Sequence, residues 1–306
     1  MEQDSIPEKR DVILASVQHY RFEHLKPFLV SLKKTGYSGD VVFFCHDVDP
    51  ATLSQLEDTG VQIIKVYNWR FRMGPRVMRG IMNRISKLYY LVRWPFFDRY
   101  WHVLLSGVKQ RYYLYYHFLL QNGHKYKRAL LTDVRDVFFQ KDPFDDYSGQ
   151  DLVFFEEDKR RALKTGLYNP VWMLRVFGQP TLDRLGDKVT ICSGTTMGTP
   201  VALLDYLERY LRLLKTSKNL QSVDGEDQAV HNVLVYENMT ECPFSIFISP
   251  NDHGPVYTVG MMPVEDIKIS ADHDVLFPDG RVAPIVHQYD RHPTITKEFC
   301  AKVGAA

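Results

Sequence analysis

Apolar residues recur over the first 66 positions in two alternating rhythms. Val12-Ile13-Leu14-Ala15-Ser16-Val17 and Val41-Val42-Phe43-Phe44-Cys45 are short apolar runs that read as buried strands, and Val61-Gln62-Ile63-Ile64-Lys65-Val66 reads as a third strand. Between them the spacing turns helical. Leu25, Phe28, Leu29 and Leu32 form one stripe that stops at Gly36, and Thr52 to Asp58 makes a shorter helix closed by Gly60. This βαβαβ series predicts parallel strands joined by right-handed crossovers, the nucleotide-binding half of a doubly wound α/β fold.

Farther along, Val77, Ile81, Ile85, Leu88 and Val92 share one helical stripe between Arg76 and Arg93, with Arg79, Arg84 and Lys87 mostly off it as a basic, solvated face. An aromatic helix from Arg111 to Gln121 ends at Asn122-Gly123 and delivers the chain to Ala129-Leu130-Leu131, a buried strand that Val137-Phe138-Phe139 resumes. Asp151 to Glu157 is a further strand with two acids at its far end. Thr165 to Gln179, rich in Gly, Pro and aromatics, reads as an irregular stretch suited to binding, although packing alone also accounts for Trp172 and Phe177. Val189 to Cys192 and Thr196-Met197-Gly198 flank a Ser-Gly turn and lead to a helix from Val201 to Leu214. Another helix, with Val230, Leu234 and Val235 facing inward, starts near Asp224 and Asp227, which ordinary N-capping explains. Pro284-Ile285-Val286 is a late apolar strand. No repeat, low-complexity tract or linker interrupts the chain, which favours one composite domain.

Composition narrows the function classes. With 45% hydrophobic and 25% charged residues the chain is an ordinary globular protein, and a formal charge of +1 argues against a nucleic-acid coat. No run approaches the ~20 apolar residues of a transmembrane helix. The start, Met1-Glu2-Gln3-Asp4, lacks the basic and apolar regions of a signal peptide, so a cytoplasmic chain is expected. Cys45, Cys192, Cys242 and Cys300 are widely spaced without a Cys-x-x-Cys pair, which predicts reduced thiols and no zinc site. The sequon Asn238-Met239-Thr240 is read as a chance occurrence.

The chemistry concentrates where the buried strand at Ala129 runs into Asp133 and Asp136. An unpaired carboxylate in a low-dielectric site must be neutralised by a proton, a cation or hydrogen bonds. Strand ends of open α/β sheets are also where ligands bind. A divalent cation satisfies both conditions. Oxygen ligands suit Mg²⁺ or Mn²⁺, and such metals commonly bring phosphates. The competing reading is an ion-pair knot, with Asp133 capping a turn and Asp136 paired to Arg128 or Arg135.

The acidic strand end, the Ser-Gly turn and a later Asp-Gln pair occur in an order that resembles nucleotide-sugar glycosyltransferases of the GT-A fold, over roughly residues 11 to 290. Asp133-Val134-Arg135-Asp136 resembles the family's metal-binding Asp-x-Asp element, although here the acids stand three apart with one extra residue between them. Cys192-Ser193-Gly194-Thr195 is similar to the turn beside the transferred sugar, where Gly194 permits close backbone approach and Ser193 offers a hydroxyl. A plain strand-to-strand turn fits it equally well. Asp227-Gln228 matches the Asp-Gln pair that contacts the sugar, with Glu226 and Glu156 competing for a general-base role. His287 resembles the late histidine that completes the metal site. The alternative is a hydrogen-bonded core histidine.

The resemblance implies a GT-A, Rossmann-like, mixed but mostly parallel sheet flanked by helices. Residues 1–306 would form a single GT-A domain, with 11–145 as the nucleotide-sugar-binding half and 146–300 as the acceptor-binding half. It implies a metal-dependent hexosyl- or pentosyltransferase that moves a sugar from a nucleoside diphosphate donor, UDP-sugar in the first instance, with retention preferred to inversion. The acceptor would be the hydroxyl of a glycan, glycoprotein or small molecule, with no nucleic acid as partner. The metal would be Mn²⁺, or else Mg²⁺, on Asp133, Asp136 and His287, since imidazole suits Mn²⁺ better. Gln18, His19 and Tyr20 at the end of the first strand would meet the base, and Arg135 and Arg291 the diphosphate, with Arg76, Arg79 and Arg84 as further candidates. Two rivals remain. One is a non-catalytic carbohydrate- or nucleotide-binding protein of the same fold, and the other a nucleotidyltransferase, which the lack of glycine from Ser16 to Glu23 disfavours.

Overall fold

The structure, a computed structural model, describes residues 9–66, 107–147, 149–216 and 225–304. The expected helix from Arg76 to Arg93, with Arg76, Arg79 and Arg84, lies outside the described residues, as does Asp224.

The N-terminal alternation is realised as β1 (Arg10–Gln18), α1 (Phe22–Lys34), β2 (Asp40–His46), α2 (Pro50–Glu57) and β3 (Gln62–Val66). Gly36 and Gly60, at φ +80° and +79°, supply the left-handed residues on which α1 and α2 end. Asp49 caps α2, its carboxylate accepting from the Thr52 amide at 3.0 Å. After α3 (Gly107–Asn122), the chain enters β4 (Tyr126–Thr132), which pairs in parallel with β1, as β1 does with β2 and β2 with β3. There follow β5 (Val137–Phe139), β6 (Leu152–Glu156), α4 (Asn169–Val176), α5 (Gln179–Leu185), β7 (Ile191–Gly198), α6 (Pro200–Thr216), α7 (Glu226–Val233) and β8 (Ile246–Ser249). The main sheet has seven strands in the order β3-β2-β1-β4-β7-β6-β8, with β7 antiparallel to both neighbours and β8 parallel to β6.

The inner strands are apolar over their central residues because helices cover both faces there, whereas the edge strand β3 carries Gln62 and Lys65 exposed. Val12, Leu14, Phe44 and Leu131 face α3 and α6, while Ile13, Ala15, Phe43 and Leu130 face Leu25, Phe28 and Leu32 of α1. Fully burying one such Val, Leu, Ile or Phe side chain stabilises the fold by about 1.5–3 kcal/mol. The C-terminal stretch adds β9 (Val256–Thr258), a hairpin of β10 (Lys268–Ile269) and β11 (Val275–Leu276), β12 (Ile285–His287) and α8 (Pro293–Lys302). Phe138 stacks on Phe299 of α8 at 3.8 Å between centroids in a separate small core.

Three expectations need correcting. Val137-Phe138-Phe139 does not resume the strand before it but pairs antiparallel with β12 in a three-stranded sheet, β5-β12-β9. The break comes from the 133–136 segment, which carries the chain from one sheet to the other. Thr165 to Gln179 is not irregular throughout, since Asn169-Pro170 opens α4 with proline in its first turn. Ser193-Gly194 is not a turn between strands, because β7 runs continuously through it. The β6–β7 register slips there, with Phe154 opposite Thr196 but Glu156 opposite Ile191, so residues 192–195 bulge out of the pairing.

Candidate metal centre and its cavity

Asp133 follows the last residue of β4, at the carboxyl ends of the parallel strands. Its amide donates to the Gly194 carbonyl at 2.8 Å, fixing the turn to the β7 bulge. Three residues later the Asp136 carbonyl accepts from the Gln288 amide at 2.7 Å, next to the pairing of Val137 with His287. The extra residue between the acids does not separate them. Val134 is buried, Arg135 pairs with Asp290 at 2.8 Å, and both carboxylates face one point.

At that point one ligand atom from each of Asp133, Asp136 and His287 lies within 4.8 Å of the others. His287 Nε2 is 3.5 Å from Asp133 Oδ2 and 3.8 Å from Asp136 Oδ1. The imidazole is fully buried, its Nδ1 lies 3.4 Å from Cys192 Sγ, and its Nε2 has no hydrogen-bond partner. Without a metal, a buried ring nitrogen aimed between two carboxylates is balanced by its own proton, and a divalent cation in the gap would replace that proton. Two carboxylate oxygens and an imidazole nitrogen make a donor set that fits a divalent cation such as Mn²⁺. Gly194 belongs to the same geometry, since a Cβ there would press on Asp133 and come within 2.6 Å of His287 Cε1.

Protonation follows from these contacts. Burial pushes the Asp136 carboxyl up. Burial would push Asp133 up as well, but the Arg111 guanidinium and His287 hold it well below the usual carboxylate range. Burial opposes charge on His287, yet Cys192 and the two aspartates raise it well above its ordinary value.

Arg111, near the start of α3, was invisible to pattern reading. Its guanidinium pairs with Asp133 through Nη1, and through Nη2 with Asp227 at 3.1 Å and the Ser193 carbonyl at 3.3 Å. Burial raises the Asp227 carboxyl, while Arg111 pulls it down. Gln228 Oε1 accepts from the Ser193 amide and hydroxyl at 3.1 and 3.0 Å, and its Nε2 donates to Glu157 at 2.9 Å. Burial pushes Glu157 up, against the hydrogen bond from Gln228.

These groups surround a cavity of about 330 Å³. Of the residues nominated from sequence, Gln18, Tyr20, Asp133, Arg135, Asp136, Ser193, Gly194, Asp227, Gln228 and Arg291 line it, and His287 lies directly behind. Three nominations need correcting. His19, at φ +55°, turns its side chain outward beside Asp47 at 3.4 Å. Glu226 is 2% exposed with its carboxylate on Lys109 Nζ at 2.8 Å, because successive helical residues point about 100° apart and α7 turns Asp227 and Gln228 to the cavity instead. The acid of the β6 end that reaches the cavity is Glu157, not Glu156, because alternate residues of a strand face opposite ways. Asp227 does not cap α7, since Gly225 precedes that helix at φ +100°.

No known family profile matches the chain, and no curated protein matches it. Solved structures do. WbbM, a bifunctional glycosyltransferase in its apo form, superposes with a TM-score of 0.53 at 10% identity, over 98% of this chain and 50% of that one, so the chain spans half the length of WbbM. An active-site mutant of LgtC superposes with a TM-score of 0.51 at 9% identity, over 96% of this chain and 95% of that one. The galactosyltransferase LgtC with donor and acceptor sugar analogues aligns at 0.49 and 11% identity, over 96% and 95%. Among the described residues no helix is long and apolar enough to cross a membrane. With its mixed seven-stranded sheet, its flanking helices and near-full coverage by WbbM and LgtC, this chain has the GT-A fold.

Proposed function

We propose that this protein is a metal-dependent glycosyltransferase that moves a hexose or pentose from a nucleoside diphosphate donor, UDP-sugar first, to the hydroxyl of a glycan, glycoprotein or small-molecule acceptor. The observation that carries this reading is the buried, unpartnered His287 Nε2 between Asp133 and Asp136 on the wall of a 330 Å³ cavity. Asp133, Asp136 and His287 would hold Mn²⁺. When bound, the cation supplies Lewis-acid stabilisation of the negative charge that builds on the departing diphosphate.

The chain's own groups take the remaining tasks. Gln18 and Tyr20 bound the cavity at the end of β1, where a base can stack on the tyrosine ring. Arg291 offers its planar fork to phosphate oxygens. Ser193 is held by Gln228, whose Oε1 accepts from its amide and its hydroxyl, so the serine oxygen is left as an acceptor for a sugar hydroxyl. Retention is preferred to inversion because Asp227 is tied to Arg111, Glu226 to Lys109 and Glu157 to the Gln228 amide, so none of the three is a ready general base for an acceptor hydroxyl.

The test is a thermal-shift panel of UDP, GDP and their sugars with and without Mn²⁺, followed by NMR of the anomeric proton in the product. A ligand that prefers the native state raises its melting temperature. A shift with one nucleotide family that requires Mn²⁺ is expected. A folded protein with no Mn²⁺-dependent shift across the panel overturns the reading.

A further inference from the structure

The start of α4 adds to the cavity wall an aromatic pair with no role in the proposed chemistry. Tyr168 and Trp172, one helical turn apart, stack at 5.5 Å with their planes 17° from parallel, and both line the cavity. The indole is seated on Gly225. That glycine has φ +100°, and a Cβ on it would come within 2.6 Å of indole Cδ2, so no other residue fits. Gly225 directly precedes α7, and the platform is therefore fixed relative to Asp227 and Gln228 by backbone.

Tyr168 forms the outer plate of the stack and is 57% exposed, so core packing does not explain its ring. Two planar polar groups line the same cavity, Asn169, which directly follows Tyr168, and Glu157. Asn169 donates to Thr190 Oγ1 at 2.9 Å and meets Gln228 Nε2 through its Oδ1 at 3.5 Å, and Glu157 accepts from the same amide. A flat aromatic face bounded by fixed amide and carboxylate groups complements one molecular shape in particular. A pyranose ring has an apolar C–H face and a rim of hydroxyls. A lipid chain would set hydrocarbon against the Glu157 carboxylate, which has one amide donor and would lose the water that solvates the rest of it.

We propose that Tyr168 and Trp172 form the acceptor subsite, and that the acceptor is a glycan whose terminal pyranose lies on the Tyr168 face with its hydroxyls toward Asn169 and Glu157. This rests on the reading of the cavity as a sugar-transfer site. It assigns the acceptor class, and it places the acceptor hydroxyl beside the Ser193–Gln228 pair.

The test is saturation-transfer NMR on the full chain with methyl pyranosides of glucose, galactose, mannose and N-acetylglucosamine as probes, and with their octyl counterparts. Tyr168→Ala and Trp172→Phe are compared with the wild type. At least one methyl pyranoside is expected to bind, with strongest saturation on its C–H face, and to bind about tenfold more weakly to Tyr168→Ala. Trp172→Phe keeps an aromatic plate and is expected to fall between them, which separates stacking from misfolding. Equal binding to wild type and Tyr168→Ala, or no binding of any methyl pyranoside to folded protein, overturns the subsite. So does saturation confined to the octyl chain, which would assign a lipid acceptor. Mn²⁺-dependent UDP binding is measured on the same samples. Pyranoside binding without UDP binding sinks the donor reading alone, and the reverse pattern sinks the subsite alone.

Discussion

Two groups of buried charge meet at Asp133, and the chain has treated them in opposite ways. On the α3 side every carboxylate has a cation from the protein itself, Glu226 from Lys109 and Asp227 from Arg111. On the β12 side, Asp136 and His287 face each other with no Lys or Arg between them among the described residues, because Arg135 is drawn off to Asp290. Acids completed by the chain hold the structure in place, whereas acids left incomplete around an unpartnered imidazole define where an outside cation belongs. Asp133 joins the two groups, with one oxygen on Arg111 and the other toward His287.

The comparison breaks most easily at His287. His287→Ala is expected to abolish measurable Mn²⁺ binding by calorimetry while the metal-free protein stays folded. Unchanged Mn²⁺ affinity would place the cation elsewhere. Next comes Arg111→Ala, which leaves the buried Asp227 without its cation and the part-exposed Asp133 with His287 alone, and is expected to cost about 3 kcal/mol in urea unfolding. A loss below about 1 kcal/mol would show that the α3 group is solvated rather than structural.

A pH effect sharpens the same contrast. Burial, and then the positive charge of Arg111, hold His231 down at about 3. A histidine depressed in the folded state binds its proton more tightly when unfolded, so its contribution to stability is full above about pH 6.5 and is lost as pH falls toward 3. Between pH 7 and pH 5 this removes about 2 kcal/mol. His231→Gln should flatten that part of the stability profile, and an unaltered slope would contradict the assignment. The smallest expected effect is at Cys192. Removing its contact with His287 Nδ1 in Cys192→Ala should weaken Mn²⁺ affinity about tenfold by loosening the ring that Nε2 depends on. Equal affinity in the two proteins would show that the thiol only fills space.

What could be read in advance followed from burial on both faces. The middle of β1, the middle of β2 and the Ala129–Leu131 part of β4 are continuous apolar runs because helices cover both sides of the sheet, and Gly36 and Gly60 mark where α1 and α2 stop. Asp133 and Asp136 stood out because acids at the end of such a run need a compensating charge. His287 entered through the resemblance alone, since nothing local in Ile285-Val286-His287 distinguishes a ligand from a packed histidine. Ser193-Gly194 was visible as a site of close approach but misread as a turn, because glycine marks both. Arg111 and Glu157 were missed for a different reason. Each looks like an ordinary charged residue at an element's end, and its role exists only where α3, β6, β7 and α7 converge.

The sequence by itself determined the alternating βαβ half of this protein, where its helices end, and that two acids close a buried strand, because periodicity and burial act within a few residues along the chain. Only the tertiary structure decided which carboxylates are neutralised internally and which are left open, that Trp172 rests on Gly225, and that residue 287 faces residues 133 and 136. Charge neutralisation and ring stacking depend on separations of a few ångströms between segments far apart in the chain, 154 residues in the case of Asp133 and His287, and only the folded sheet brings such segments together.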